Sequence, residues 1–169
     1  MPTRIRPAQP FESQALYELH RAAFGRLDEA ELVASLRAAH RSAYELAAER
    51  EGSIVGHILF SPVLVERGDD GLAVGLAPLA VAPEHQRQGV GSALVQAALM
   101  TLKTGPYRMV VVLGDPAYYQ RFGFRAAGTF GLHDTFGGGD AFMALALKPT
   151  GLAGYGGQVD YAPEFDRLA

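Results

Sequence analysis

Apolar positions recur along the chain with two different periods, and the switches between them mark out its elements. Phe11, Ala15, Leu16, Leu19, Ala23 and Phe24 fall at helical spacing, which predicts an amphipathic helix over 11–24. Asp28 followed by Glu31 has the form of a capping box, and Leu32, Val33, Leu36 and Ala39 supply the apolar face of a second helix. A short strand is expected at 4–7. Residues 43–50 and 53–66 are rich in alternating or continuous apolar positions broken by Glu51-Gly52-Ser53, the pattern of a hairpin. Gly68-Asp69-Asp70-Gly71 makes a further turn ahead of a strand that runs through Val81. From Gly89 the period becomes helical, with Val90, Leu94, Ala98 and Leu102 on one face. Gly105-Pro106 then ends the helix, as a glycine just past the last turn followed by proline should. Met109-Val110-Val111-Val112-Leu113 is a continuous apolar run, the mark of a strand covered on both faces. A short helix over 116–122 and strands near 124–126 and 141–147 follow. The segment 150–169 is glycine-rich at first, then carries Val159, Tyr161 and Phe165 and is expected to dock on the sheet.

Strands and hairpins come first, then strand–helix–strand. That order predicts an α/β fold with a mixed sheet, in which the unit 73–113 is parallel and right-handed. The 169 residues suffice for one domain with a real core, and the expectation is a single domain over 1–169. A formal charge of −3 leaves no basic stripe for nucleic acid. The absence of cysteine removes disulfides, thiolate nucleophiles and cysteine-held metals from consideration. No apolar run approaches the ~20 residues of a membrane span, and residues 1–6 have no apolar core of signal-peptide length. The expected setting is cytoplasmic, with neither membrane nor nucleic acid as partner.

The most chemically specific stretch is Val81-Ala82-Pro83-Glu84-His85-Gln86-Arg87-Gln88-Gly89-Val90-Gly91-Ser92. It reads as a strand end, a turn and a glycine-rich loop opening into a helix. The first turn of a helix presents amides without intrahelical partners and the positive end of its dipole. Glycines at 89 and 91 keep side chains away from those donors, so the loop is a cradle for a diphosphate. A P-loop would need Gly-Lys-Ser/Thr, which is missing. A dinucleotide fingerprint would need a third small residue where Leu94 stands, and an acid further on that this chain lacks.

Gln86 through Ser92 fit the pattern Q/R-x-x-G-x-G/A, and Tyr119-Gln120-Arg121-Phe122-Gly123-Phe124 stands downstream at the expected distance, with Leu79-Ala80-Val81-Ala82-Pro83 leading in. The chain thereby resembles the GNAT superfamily of N-acetyltransferases over roughly residues 44–147, with a motif core at 72–126. Leu113-Gly114-Asp115-Pro116 and the extension 150–169 are similar to one bacterial, mostly uncharacterised subgroup. The resemblance implies a mixed, mostly antiparallel sheet with a splayed central parallel pair and helices on both faces. It implies acetyl-CoA as co-substrate, no metal, and direct attack of a primary amine on the thioester. The acceptor would be a small molecule or a peptide, and homodimers are common in this fold.

On that resemblance, the coenzyme is held by Leu79, Ala80, Val81, Gln86, Arg87, Gln88, Gly89, Val90, Gly91 and Ser92. The Leu79 N–H holds the acetyl oxygen and Val81 pairs with the pantetheine amide. Pro78 supports a break in the ladder here, because it removes a donor. Tyr119 is the general acid for the departing thiolate, while Tyr118 is expected to pack. Arg87 and Arg121 are natural phosphate partners, and Gln86 and Gln88 contribute backbone amides more than side chains. Some relatives carry a glutamate base on the strand before the loop, but here that position is Gly75. His57, His133, Asp134 and Asp140 are conceivable bases, but His57 is expected to be structural and His133 and Asp134 to be solvated loop groups, so no base is assigned. Two alternatives stay open beside the transferase: a non-catalytic acyl-CoA-binding sensor that kept the cradle, and a nucleotide enzyme resting on glycine spacing alone.

Overall fold

In chain order the elements are β1 (Arg4–Pro7), α1 (Ser13–Phe24), α2 (Asp28–Ala38), β2 (Tyr44–Arg50), β3 (Ser53–Pro62), β4 (Leu64–Arg67) and β5 (Ala73–Val81). There follow α3 (Val90–Thr104), β6 (Met109–Leu113), α4 (Pro116–Tyr119), β7 (Arg125–Ala126), β8 (Leu132–His133), β9 (Phe142–Ala146) and β10 (Gly156–Asp160). The structure is a computed structural model and describes residues 2–168.

Seven strands form one sheet in the order β1-β2-β3-β5-β6-β9-β7, and β4-β10-β8 form a second, smaller one. In the large sheet β5 and β6 are parallel and the other neighbours antiparallel. The parallel ladder is short: Ala73–Leu76 pair with Met109–Val112, and β5 then continues to Val81 with β3 alone. Its register against β3 slips at the same point, since Leu76 faces Phe60 but Leu79 faces Ile58. One extra residue is therefore taken up on β5 around Ala77-Pro78, which is a bulge; the Ala77–Pro78 peptide is cis. Pro78 has no ladder donor, so the break sits where the chain loses least. The two parallel strands diverge from there, as the resemblance implied.

Helix α3 covers one face of the large sheet. Val90, Leu94, Val95, Ala98, Leu99 and Leu102 are buried against Ile58, Phe60, Val74, Leu76, Val110 and Val112. Each such side chain contributes about 1.5–3 kcal/mol by leaving water. Alternate strand residues point to the opposite face, where Leu59 meets Leu32, Val33 and Leu36 of α2 and Ala162 and Phe165 of the C-terminal segment. The fold is thus a mixed α/β sheet, mostly antiparallel, with helices on both faces.

Several local expectations are corrected. Helix α1 begins after a 3-10 turn at Pro10–Glu12 and buries Leu16, Leu19 and His20, leaving Phe11, Ala15 and Phe24 exposed. His20 takes an inward position because its ring finds a buried partner in His57. The capping box at Asp28 does not form: Leu27 is the cap, Asp28 is already helical, and Arg26 binds Glu29. Ala39 lies beyond the last turn and is exposed. The run 53–66 is two strands, because after Pro62 the Val63 N–H donates to the Ala73 carbonyl (3.1 Å) and the chain crosses into the second sheet. The segment 150–169 does more than dock. It supplies β10, antiparallel to β4 and parallel to β8, a strand that period alone did not reveal. Gly105 ends α3 in an extended conformation, not a left-handed one.

Candidate active site

The loop ahead of α3 is held open by backbone geometry. Arg87 and Gly89 both have positive φ (61° and 84°), and Gly89 caps the helix. The first intrahelical bond runs from the Ala93 N–H to the Gly89 carbonyl (3.0 Å), so the amides of the preceding turn face outward. Leu79, Val81, His85, Gln86, Arg87, Gly89–Ser92, Tyr118 and Arg121 line a groove of about 500 Å³ over them. Gly91 makes its floor: a Cβ there would lie 3.4 Å from the Tyr118 hydroxyl and 3.6 Å from Val81. Ala80 points the other way and is buried with Leu19 and Ala82, so only its backbone belongs to this region.

Ladder phase decides where the Leu79 and Val81 amides point. The Ala82 N–H donates to the Val55 carbonyl (2.8 Å), and in the same register Ala80 faces His57. Hydrogen-bonded and non-hydrogen-bonded pairs alternate in an antiparallel ladder. Leu79 and Val81 therefore turn their N–H and C=O groups away from β3, into the gap that β6 has vacated. The Val81 carbonyl accepts from Gln86 Nε2 (3.0 Å) across the loop.

Both glutamines of the loop use their side chains in bonds within the protein. Gln88 Oε1 accepts from Arg50 Nη1 (2.6 Å), and the same guanidinium lies 3.1 Å from His85 Nδ1 and donates from Nε to Thr3 (2.8 Å). Arg50 is only 8% exposed. It ends β2 and clamps the loop from behind; no local motif marks it, because its partners lie 35 and 38 residues away.

Asp115 caps α4 by accepting from the Ala117 N–H (3.0 Å), and the consecutive tyrosines of that turn then diverge. Tyr119 enters the core, its ring against Gly114 just past the end of β6; a Cβ at Gly114 would come within 2.6 Å of it. Burial pushes its phenol up to about 12. Tyr118 reaches the groove, where its hydroxyl lies 3.1 Å from Ser92 Oγ and the Arg121 guanidinium stacks on its ring at 4.5 Å. Tyr118 is thus more than packing, and Arg121 joins the groove wall with Arg87.

At Gly75 the aromatic edge of Tyr161 occupies the space a side chain would need, 2.8 Å from an added Cβ. His57 is fully buried between His20 Nε2 (2.8 Å) and Glu45 Oε1 (2.8 Å), a structural position. Asp134 is tied into its own loop by the Phe136 and Gly138 amides (3.2 Å each), His133 lies in β8, and Asp140 borders a separate hollow with Arg125. Among the described residues no group of three or more His, Asp or Glu is placed to hold a metal.

A splayed parallel pair whose free amides meet the open start of a helix defines the acyl-CoA N-acyltransferase class of fold. A family model described as "Acetyltransferase (GNAT) domain" matches residues 4–127, and the chain belongs to this family. It is 38% identical over 166 residues to the "Uncharacterized N-acetyltransferase YhbS" of Escherichia coli K12, covering 97% of this chain and 99% of that protein. The crystal structure of Escherichia coli YhbS in complex with CoA superposes with a TM-score of 0.93 at 37% identity, covering 99% of this chain and 93% of that one. A GNAT acetyltransferase from Brucella melitensis in complex with acetyl-CoA gives 0.82 at 34% identity, with 98% and 99% covered.

Proposed function

We propose that this chain transfers the acetyl group of acetyl-CoA to a primary amine by direct attack. The observation that carries the reading is the pair of amides at Leu79 and Val81 turned into the splayed gap beside the start of α3. The diphosphate would lie on the amides of 87–92 with Arg87 and Arg121 alongside, and the pantetheine would pair with Val81. The Leu79 N–H would donate to the thioester oxygen as it gains charge. A single preorganised donor of this kind is worth about 3–4 kcal/mol in the transition state.

The amine nitrogen bonds to the carbonyl carbon, the C–S bond breaks, and the thiolate takes the proton of Tyr119 Oη. The proton released by the new amide nitrogen restores the phenol. A phenol at about 12 is a weak acid against a thiol of about 8.5 in water. The same low-dielectric gap raises the thiol too, so transfer accompanies C–S cleavage. With Gly75 in place of a carboxylate, the amine loses its proton to water or attacks from its neutral fraction. That vacancy favours one rival reading, a sensor that binds acyl-CoA without turnover.

The extension supplies β10, which pairs with β4 where the chain has just left β3 of the large sheet, and its Val159 packs with Val111 and Ala144 of that sheet, which supports treating 1–169 as one domain. The helices among the described residues are all too short or too polar to cross a membrane, and the cytoplasm is the setting we propose.

Thermal melting with acetyl-CoA, ATP and NAD tests the assignment. Only acetyl-CoA should raise the melting temperature, because only a ligand of the folded state stabilises it. Thiol release on an amine panel then separates enzyme from sensor. A shift with NAD or ATP alone would overturn the cradle's assignment, and binding without turnover on any amine would favour the sensor.

A further inference from the structure

A second cavity, of about 470 Å³, opens beside the gap on the opposite face of the sheet from α3; it is lined by Ala77, Leu113, Phe136, Tyr161, Phe165 and Leu168 among others. Ala77 belongs to the β5 bulge and Leu113 ends β6, so this cavity borders the same divergence whose other side, two residues on at Leu79, borders the coenzyme groove. We propose that it seats the acceptor, that the acceptor is a small arylalkyl primary amine, and that Tyr161 positions its nitrogen. The proposal rests on the transferase reading above.

The walls are apolar and aromatic. Phe136 stands edge-on to Tyr161 at 6.1 Å between centroids, and Phe165 does so at 5.0 Å. Within that lining is one orphaned polar atom: Tyr161 Oη is shut off from solvent and has no hydrogen-bond partner. A buried hydroxyl left unpaired costs about 1–3 kcal/mol, and a ligand N–H would remove that cost. Burial drives the Tyr161 phenol far above its ordinary range, so it stays neutral and can accept from an amine. It reaches this place only because residue 75 is glycine, since a Cβ there would collide with its ring. The C-terminal segment therefore fills, with the ring of Tyr161, the space a side chain at 75 would take.

Charge at the approach fits a cation. An adjoining hollow shares Thr135, Phe136 and Tyr161 with the cavity and adds Asp160 and Asp166. The cation there, Arg41, is engaged by Glu164 at 2.9 Å. An ammonium arriving over this rim would shed its proton and bury its aryl group between the rings. Pockets of this size and lining suit small molecules.

The test uses the full chain, saturating acetyl-CoA, and phenethylamine against ethylamine. Phenethylamine should show a kcat/KM about 10–100-fold higher, as burial of a ring predicts. Tyr161→Phe keeps the ring and should lower kcat/KM for phenethylamine about tenfold or more, mainly through KM, while the melting shift with acetyl-CoA is unchanged. Thr135→Phe, at an exposed loop position lining the cavity, should raise KM for phenethylamine without altering that shift. If acetyl-CoA shifts melting but phenethylamine is no better than ethylamine, or a peptide with a free α-amine outperforms both, the inference is overturned and the transferase reading stands. Equal KM for the wild type and both variants overturns it as well. No acetyl-CoA shift in the wild type removes the transferase reading itself.

Discussion

At the level of single residues, the adjacent tyrosines of α4 take different places. Tyr119 is in the core at the end of β6, whereas Tyr118 is hydrogen-bonded to Ser92 on the groove wall. Loss of the Tyr119 hydroxyl should cost roughly 10²–10⁴ in kcat, the usual range for a general acid, with acetyl-CoA affinity unchanged. Tyr118→Phe should instead weaken acetyl-CoA binding several-fold and leave kcat nearly intact. Steady-state kinetics on the two variants decide between them; the reverse pattern would move the acid to Tyr118. Gly91 gives a third reading at this scale. It is helical, so Gly91→Val is tolerated by the backbone, but the added methyls project toward Tyr118 and Val81 and fill the groove floor. Acetyl-CoA should lose its melting shift in this variant while the unliganded melting temperature moves little. Tyr119 could be proposed from sequence because its motif is local. The environment of Tyr118, the ring of Tyr161 over Gly75 and the clamp at Arg50 could not, since each depends on partners brought together by tertiary folding.

Among elements, legibility followed the range of the interactions that make them. Helix α3 and strand β6 were readable because their periods are long and uninterrupted, and both are covered by core on the faces those periods mark. The second sheet was not readable. β4, β8 and β10 are short, and β10 pairs with strands far from it in the chain. The loop before α3 shows how such distant partners act on a site. Its Arg87 sits in the left-handed region, which costs a non-glycine residue about 1 kcal/mol. Arg50, anchored at the end of β2, holds the neighbouring Gln88 and His85 and so maintains that conformation. Arg50→Met should raise the Kd for acetyl-CoA about tenfold, the equivalent of one hydrogen bond to a charged group, and lower the melting temperature by a few degrees. Isothermal titration beside a melting curve measures both, and unchanged affinity would show that the loop keeps its shape without the clamp.

For the molecule as a whole, the helices on the face opposite α3 are tied to the sheet through a buried polar chain that titrates. His57 Nε2 faces the Glu45 carboxylate and so carries a proton, which leaves His57 Nδ1 to accept from His20 Nε2–H at 2.8 Å. His20 Nδ1 then remains a bare acceptor, which agrees with its lack of a partner. Arg37 of α2 and Ser42 close the chain on Glu45. Burial holds His20 down to about 3, and His57 is lowered for the same reason. Between pH 6.5 and 3 the unfolded chain therefore binds protons that the folded one refuses, so stability is complete above 6.5 and falls on acidification. Each histidine contributes a slope of up to about 1.4 kcal/mol per pH unit, and lowering the pH from 7.5 to 5.5 should cost about 1–3 kcal/mol in all. At this chain length that is a fall of roughly 3–10 °C in melting temperature. Glu45 is lowered as well, so its contribution is lost in the same direction, but only at more acid pH. His20→Gln keeps an N–H for His57 and removes one titrating ring, so it should flatten the decline between pH 7.5 and 5.5 by about half. A variant whose melting temperature falls as steeply as the wild type's would place the acid sensitivity elsewhere in the molecule.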